Sequence, residues 1–186
     1  PKTPKPRLNE KKLPSYQCFF PLKLNIKGNN VAEIWLILDK KFKPLRFSIQ
    51  QSDSRTEKEI KKIFPTDFKK QEFTKITKCG VNQQLIAPKL LWIATNEPKN
   101  FKKIHIVMGS YDYINFILTG IFSIEHNWAL ESGLMDFRKK KFTNYLLKLG
   151  RMKKEWMPPI NHSEKIIGKI KKQIIQKTKL PKDISV

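Results

Sequence analysis

With 186 residues, 39% of them hydrophobic and 12 of them Phe, the chain can bury one core, and its length favours one domain. A formal net charge of +22 would suit a polyanion such as nucleic acid or an anionic membrane surface, yet of the 38 basic residues only Arg7, Arg46, Arg55, Arg138 and Arg151 are Arg. Readers of nucleic acid lean on the bidentate guanidinium, so a Lys-dominated excess, which AT-rich coding also yields, establishes a basic soluble chain and little more.

Cys18 and Cys79 form no CxxC, which excludes the usual zinc and disulfide frameworks and fits a reducing compartment. No apolar run reaches the length of a membrane span, and no charged start leads into an apolar signal-peptide core. The expected location is cytoplasmic, with no membrane partner. Pro1 rather than Met at the first position suggests that the true beginning lies upstream.

Residues 1–27 carry Pro1, Pro4, Pro6, Pro14 and Pro21 among many Lys and are expected to be poorly ordered, leaving 28–186 as the folded part. Glu33 to Leu38, EIWLIL, reads as a short buried strand, and Leu45 to Ile49 as a second, with Leu45, Phe47 and Ile49 on one face. Together they suggest a hairpin.

Next comes QQSDSRTEKEIKKIF. Ser54 followed by Glu57 is a capping-box pattern, opening a helix with Ile60, Ile63 and Phe64 inward. Gln51, Ser52, Asp53 and Arg55 therefore lie between a strand end and a helix start, where α/β folds bind ligands. The plainer reading, which spacing alone favours, has Asp53 capping the helix and Arg55 solvated.

A basic helix is expected between Phe68 and Gly80, with Phe68, Phe73 and Ile76 inward. Pro88 suits the first position of a helix running through APKLLWIATNE to Pro98, with Leu90, Leu91 and Ala94 as its apolar stripe. Trp92 could contact a ligand, although an aromatic at helical spacing reads first as core. Pro98 opens a short helix, and Ile104 to Val107 reads as a buried strand.

Ser110 is expected to cap the following helix, with Asp112 in its first turn, Ile114, Ile117 and Leu118 on its apolar face, and Gly120 as the left-handed terminator. Gly133 marks a second turn and Met135 to Arg138 a bend. Thr143 caps NYLLKLG, closed by Gly150, Pro158 and Pro159 break the chain, Gly168 turns it, and 171–178 form a basic last helix. His105, His126 and His162 are isolated and lack partners at metal spacing. No GxGxxG, GxxxxGK[ST] or GxSxG motif is present.

The run IAPKLLWIATNEP, followed by SYDYINFILTG, NWALESGLMDF, YLLKLG, MPPI and IIGKI, resembles in order and spacing the amino-terminal domain of the FGGY carbohydrate kinases, over about residues 31–186. The resemblance implies an α/β fold, part of an actin-like, ribonuclease-H-like ATPase domain truncated at both ends. It also implies a sugar or polyol substrate, with ATP and Mg²⁺ serving the intact enzyme and none bound by this chain alone.

LILDKKFKPLRFSIQQSDSRTEKEI is similar to the family segment that reaches the sugar site. Gln51 stands where many members have an aromatic residue, which leaves the identity of the sugar open. Asp53 and Arg55 match the motif, and Gln83 falls near a second sugar contact. The family's Asp-x-Gly-Thr phosphate hairpin has no counterpart in residues 1–30. KLPKDISV resembles the segment just before the family's catalytic Asp, so the general base is expected beyond Val186, as is the carboxyl-terminal nucleotide domain. A non-catalytic kinase remnant and a basic nucleic-acid-binding module stand as alternatives, nucleic acid being the less favoured.

Overall fold

β1 (Trp35–Leu38) and β2 (Ile106–Gly109) are antiparallel neighbours, with Leu36 opposite Met108 and Leu38 opposite Ile106. The computed structural model describes residues 35–50, 53–181 and 183–186. The basic segment 1–27, Cys18, the first two residues of the expected strand and Gln51 therefore lie outside the described residues.

Side chains alternate across a strand, and here the alternation divides the core. Ile37 and Val107 face one way, into a cluster with Ile86, Leu90, Leu147 and Trp156. Leu36, Leu38, Ile106 and Met108 face the other, against Tyr113, Ile124, Trp128 and Met135.

The first face is covered by α3 (Ile86–Asn96) and α7 (Asn144–Leu149), the second by α5 (Ser110–Thr119) and α6 (His126–Glu131). α1 (Glu57–Ile63) and α2 (Asp67–Thr77) close a third cluster around Phe64, Phe73, Leu85 and Leu146. α4 (Pro98–Phe101) links α3 to β2. Further along, β3 (Ile124–Glu125) pairs in parallel with β6 (Ile160–Asn161), β4 (Met135–Asp136) pairs with β5 (Lys141–Phe142), and α8 (Lys172–Thr178) is the last helix. The architecture is α/β, as expected.

Several local expectations change. Segment 44–49 returns beside β1 through isolated bridges at Pro44 and Ile49 and a bond from the Leu45 amide to the Ile37 carbonyl at 3.0 Å, and forms no regular strand. Phe47 is 48% exposed, and its carbonyl is taken by Arg46 Nη1 at 2.6 Å, which removes an acceptor from the ladder. The bend at Met135 to Arg138 is the first arm of the β4–β5 hairpin. Phe68 lies on the solvent side of α2, while Phe73 is fully buried. α3 begins two residues before Pro88.

In α5 the cap is the Gly109 backbone rather than Ser110, whose buried hydroxyl has no hydrogen-bond partner among the described residues. Asp112 accepts from the amides of Gly109 (3.2 Å) and Glu125 (3.0 Å). Those two bonds turn the helix so that Tyr113, Phe116 and Ile117 face the core and Ile114 faces out. Gly120 ends α5 in the left-handed region, as expected (φ +83°). Thr143 caps α7, donated to by the Leu146 amide.

Gly133 also has a left-handed backbone (φ +73°), and a Cβ there would come within 2.6 Å of Leu85 Cδ2 and 2.8 Å of Phe73 Cζ. Gly133→Ala is expected to lower stability by about 3 kcal/mol, combining left-handed strain with overpacking. Urea unfolding measures the loss. Gly80→Ala, where an added Cβ meets nothing within 4 Å, is the near-neutral control.

Candidate functional site

Where the hairpin segment after β1 ends, the chain turns at Asp53 into a 3-10 turn, Ser54–Thr56, and then into α1. Asp53, in extended conformation, caps that turn, and its Oδ1 accepts from the Arg55 amide at 3.0 Å. The expected Ser54–Glu57 box is thereby replaced by an Asp53 cap. The same carboxylate clasps the Arg55 side chain, with Nε to Oδ1 at 2.9 Å and Nη2 to Oδ2 at 2.7 Å. A two-pronged guanidinium–carboxylate contact fixes orientation as well as distance.

α3 supports this clasp. The Arg55 guanidinium carbon stands 4.9 Å from the centre of the Trp92 ring, and that of Arg46 stands 5.9 Å from it. Arg46 Nε in turn donates to both Glu97 oxygens, at 3.0 and 2.9 Å, at the carboxyl end of α3. Trp92 is therefore half-buried core on one side and a platform for cations on the other, joining both readings of this residue. One turn earlier on α3, Lys89 is only 3% exposed. It lines a cavity of about 20 Å³ together with Trp35, Arg46, Ser48 and Ile49, room for a single water molecule.

The charges are mutually adjusted. The Arg55 hydrogen bond is the main cause that holds the Asp53 carboxyl below its ordinary range, with Lys89 adding to the pull. The clasp likewise pushes the Arg55 guanidinium up. Each group thus favours the charged form of the other.

Of the residues singled out in the sequence, the structure brings Asp53 and Arg55 together. Gln51 lies outside the described residues. Gln83 is exposed in the turn before α3, and among the described residues no hydrogen bond or ion pair joins its side chain to the clasp. Arg46 and Lys89 were missed. The available signal was a lone Lys inside the apolar run IAPKLLWIA, three residues before Trp92.

Two other carboxylates are candidates for proton transfer by residue type. Asp136 is spent on the β4–β5 turn, accepting from the amides of Arg138 and Lys139 at 3.0 and 2.9 Å. Asp112 is 1% exposed and has both oxygens committed to amides. The histidines are not all isolated, because the parallel β3–β6 register sets Glu125 opposite Asn161 and stacks His126 on His162, centroids 5.0 Å apart. Among the described residues no three His, Cys, Asp or Glu side chains converge as a metal site, and no helix is long and apolar enough to cross a membrane.

Residues 27–186 match the family described as the FGGY family of carbohydrate kinases, N-terminal domain. The xylulose kinase of Lactococcus lactis is 28% identical over 151 residues, which cover 81% of this chain and 30% of that protein. The probable L-xylulose kinase of Haemophilus influenzae is 32% identical over 151 residues, covering 80% and 31%. Among solved structures, the xylulose kinase of Rhodospirillum rubrum superposes with a TM-score of 0.78 at 36% identity, over 82% of this chain and 32% of that one. The glycerol kinase of Plasmodium falciparum, at 21% identity and a TM-score of 0.73, shares the fold. The chain thus spans about a third of the length of the relatives it matches.

Burial pushes the Asp112 carboxyl up to about 6, against the pull of its two amide donors. A folded-state value above the ordinary one means that Asp112 contributes fully below about pH 4 and that its contribution is lost as pH rises through 6. The stability of the unmodified chain relative to Asp112→Asn is expected to be greatest near pH 4 and to shrink by about 3 kcal/mol by pH 7. Urea unfolding of both proteins across that range provides the comparison.

Proposed function

Because the chain belongs to the FGGY family of carbohydrate kinases, we propose that it supplies the sugar-facing part of an ATP-dependent transfer of phosphate to a sugar hydroxyl, the sugar being of the xylulose type. The observation that carries this reading is the Asp53–Arg55 clasp, held on Trp92 where the hairpin gives way to α1. A carboxylate and a guanidinium fixed against each other are suited to presenting polar groups to a polyhydroxylated ligand, since those two side chains need little further ordering. In this proposal Gln51, Asp53 and Arg55 line one side of the sugar and Gln83 reaches it from the turn before α3. The type of sugar is inferred from relatives named as xylulose kinases.

Phosphoryl transfer depends on holding the accepting hydroxyl in line and on a group that takes its proton. The described residues serve the first requirement. For the second, the resemblance of KLPKDISV to the family segment before the catalytic Asp puts the base after Val186 in this proposal, and the commitment of Asp112 and Asp136 to backbone amides supports that reading. ATP and its Mg²⁺ are expected of the intact family enzyme. Both belong, in this proposal, to the part of a family-length chain that lies beyond this third.

Titration of the 186-residue chain with D-xylulose by calorimetry is expected to give saturable binding that weakens about tenfold or more in Asp53→Ala, the loss of hydrogen bonds to a charged group. No ATP-dependent phosphorylation of the sugar is expected from the same preparation. Absence of saturable binding, or indifference of the affinity to Asp53→Ala, would count against the sugar-site assignment. Turnover by these residues alone would overturn the placement of the base.

A further inference from the structure

Segment 44–49 runs back along β1 from Pro44, opposite Leu38, to Ile49, opposite Trp35, and then leads on to Asp53. The candidate sugar loop thus follows the Trp35 end of β1. At the Leu38 end, turn 39–43 and the turn after α4 border an open groove of about 400 Å³. Asp39, Lys40 and Lys41 line it from one wall, and Lys102, Lys103 and Ile104 from the other. The His105 amide donates to the Leu38 carbonyl at 2.8 Å, which fastens one wall to the other. Basic residues are 38 of 186 in the whole chain, whereas 39–43 and 99–103 hold six Lys in ten positions. The antiparallel β1–β2 pairing brings these two runs, far apart in sequence, to one edge.

None of the four lining ammonium groups forms an ion pair with a carboxylate among the described residues. Asp39, the acid of the groove, spends Oδ1 on the amides of Lys41 and Lys43, at 2.7 and 3.0 Å. Unmatched charges of one sign around a groove raise the local potential for an anion. A phosphoryl group carries about −1.5 to −2 at neutral pH, so four ammonium groups balance about two of them rather than one. The walls offer little to an organic moiety, because Ile104 is buried and the Phe42 ring packs with Phe116 and Phe122. Nor does a guanidinium fork line the groove, as a reader of base edges would use.

We propose that this groove is a binding site for an inorganic phosphate chain such as pyrophosphate, held between Lys40 and Lys41 on one wall and Lys102 and Lys103 on the other. The site is independent of the sugar reading and stands whether or not the chain binds D-xylulose.

Calorimetric titration of the 186-residue chain with pyrophosphate tests it, with amide NMR shifts locating the ligand. One saturable site is expected, with shifts concentrated at 39–43 and 102–105. Inorganic phosphate, which leaves about two ammonium groups unmatched, should bind about tenfold more weakly, an exposed pair being worth up to about fivefold. The quadruple variant Lys40→Gln, Lys41→Gln, Lys102→Gln, Lys103→Gln is expected to lose saturable binding. Its control, Lys58→Gln, Lys61→Gln, Lys62→Gln, Lys75→Gln on α1 and α2, removes the same charge and should keep most of the affinity. All eight positions are exposed, so both variants leave the core intact. Equal losses in the two variants, or shifts confined to other residues, would overturn the site. ADP binding more tightly than pyrophosphate through the same lysines would overturn the inorganic ligand, and duplex DNA displacing pyrophosphate at lower concentration would make the groove part of a nucleic-acid face instead.

Discussion

Four residues of β1 decide which parts of the chain meet. Because successive side chains leave a strand on opposite faces, Ile37 commits one face to α3 and α7, while Leu36 and Leu38 commit the other to α5 and α6. The ladder with β2 repeats the division through Val107 on one side and Ile106 and Met108 on the other. A shift of one residue in that register would exchange the faces and leave both helical layers without a matching surface. The candidate loop inherits its location from this constraint. The chain leaves β1, returns along it through Leu45 to Ile49, and ends against α3, on the face that Ile37 selects.

The second organising constraint is electrostatic. With 38 basic residues against 16 acidic ones, carboxylates are scarce, and several of those described are spent on geometry. Asp39 accepts from the amides of Lys41 and Lys43 in the turn after β1. Glu125 caps α6 through the Trp128 amide while its other oxygen accepts from the Ser163 hydroxyl. Asp112 ties the start of α5 to the start of α6, and Asp136 closes the β4–β5 turn. Asp53 and Glu97 clasp arginines. Each of these roles satisfies backbone or guanidinium donors that would otherwise be left without partners, and each removes a carboxylate from the pool able to accept a substrate proton.

What could be read from residues alone was what is decided locally. Gly120 and Gly150 at helix ends, Thr143 at a cap, the buried runs of β1 and β2 and the helix through Leu90 and Leu91 all follow from neighbours a few positions away. The order of short runs from IAPKLLWIATNEP to IIGKI carried the family. What was not legible depends on partners distant in sequence. The rotation of α5 is set by an amide thirteen residues downstream of Asp112. The pairing of His126 with His162 requires the parallel β3–β6 contact, and the loss of regular strand at 45–49 follows from Arg46 taking a carbonyl and joining Glu97. In the candidate site, Asp53 and Arg55 were visible as a motif, but their supports on α3 were hidden inside what looked like an ordinary apolar stripe.

That concealment has a physical origin. A helix that buries Ile86, Leu90, Leu91 and Ile93 must present its remaining positions to whatever packs at the edge of the core, and on α3 those positions hold Lys89, Trp92 and, at its end, Glu97. An edge position is the one place where an indole can stay half-buried for packing and still offer a π-face to a guanidinium. It is also where Lys89 is enclosed beside segment 46–49. The same helix therefore closes the core with one set of side chains and supports the polar loop with another. The Arg55 guanidinium, 4.9 Å from the Trp92 ring, is in this way tied to the helix that packs Ile86 and Leu90 into the core.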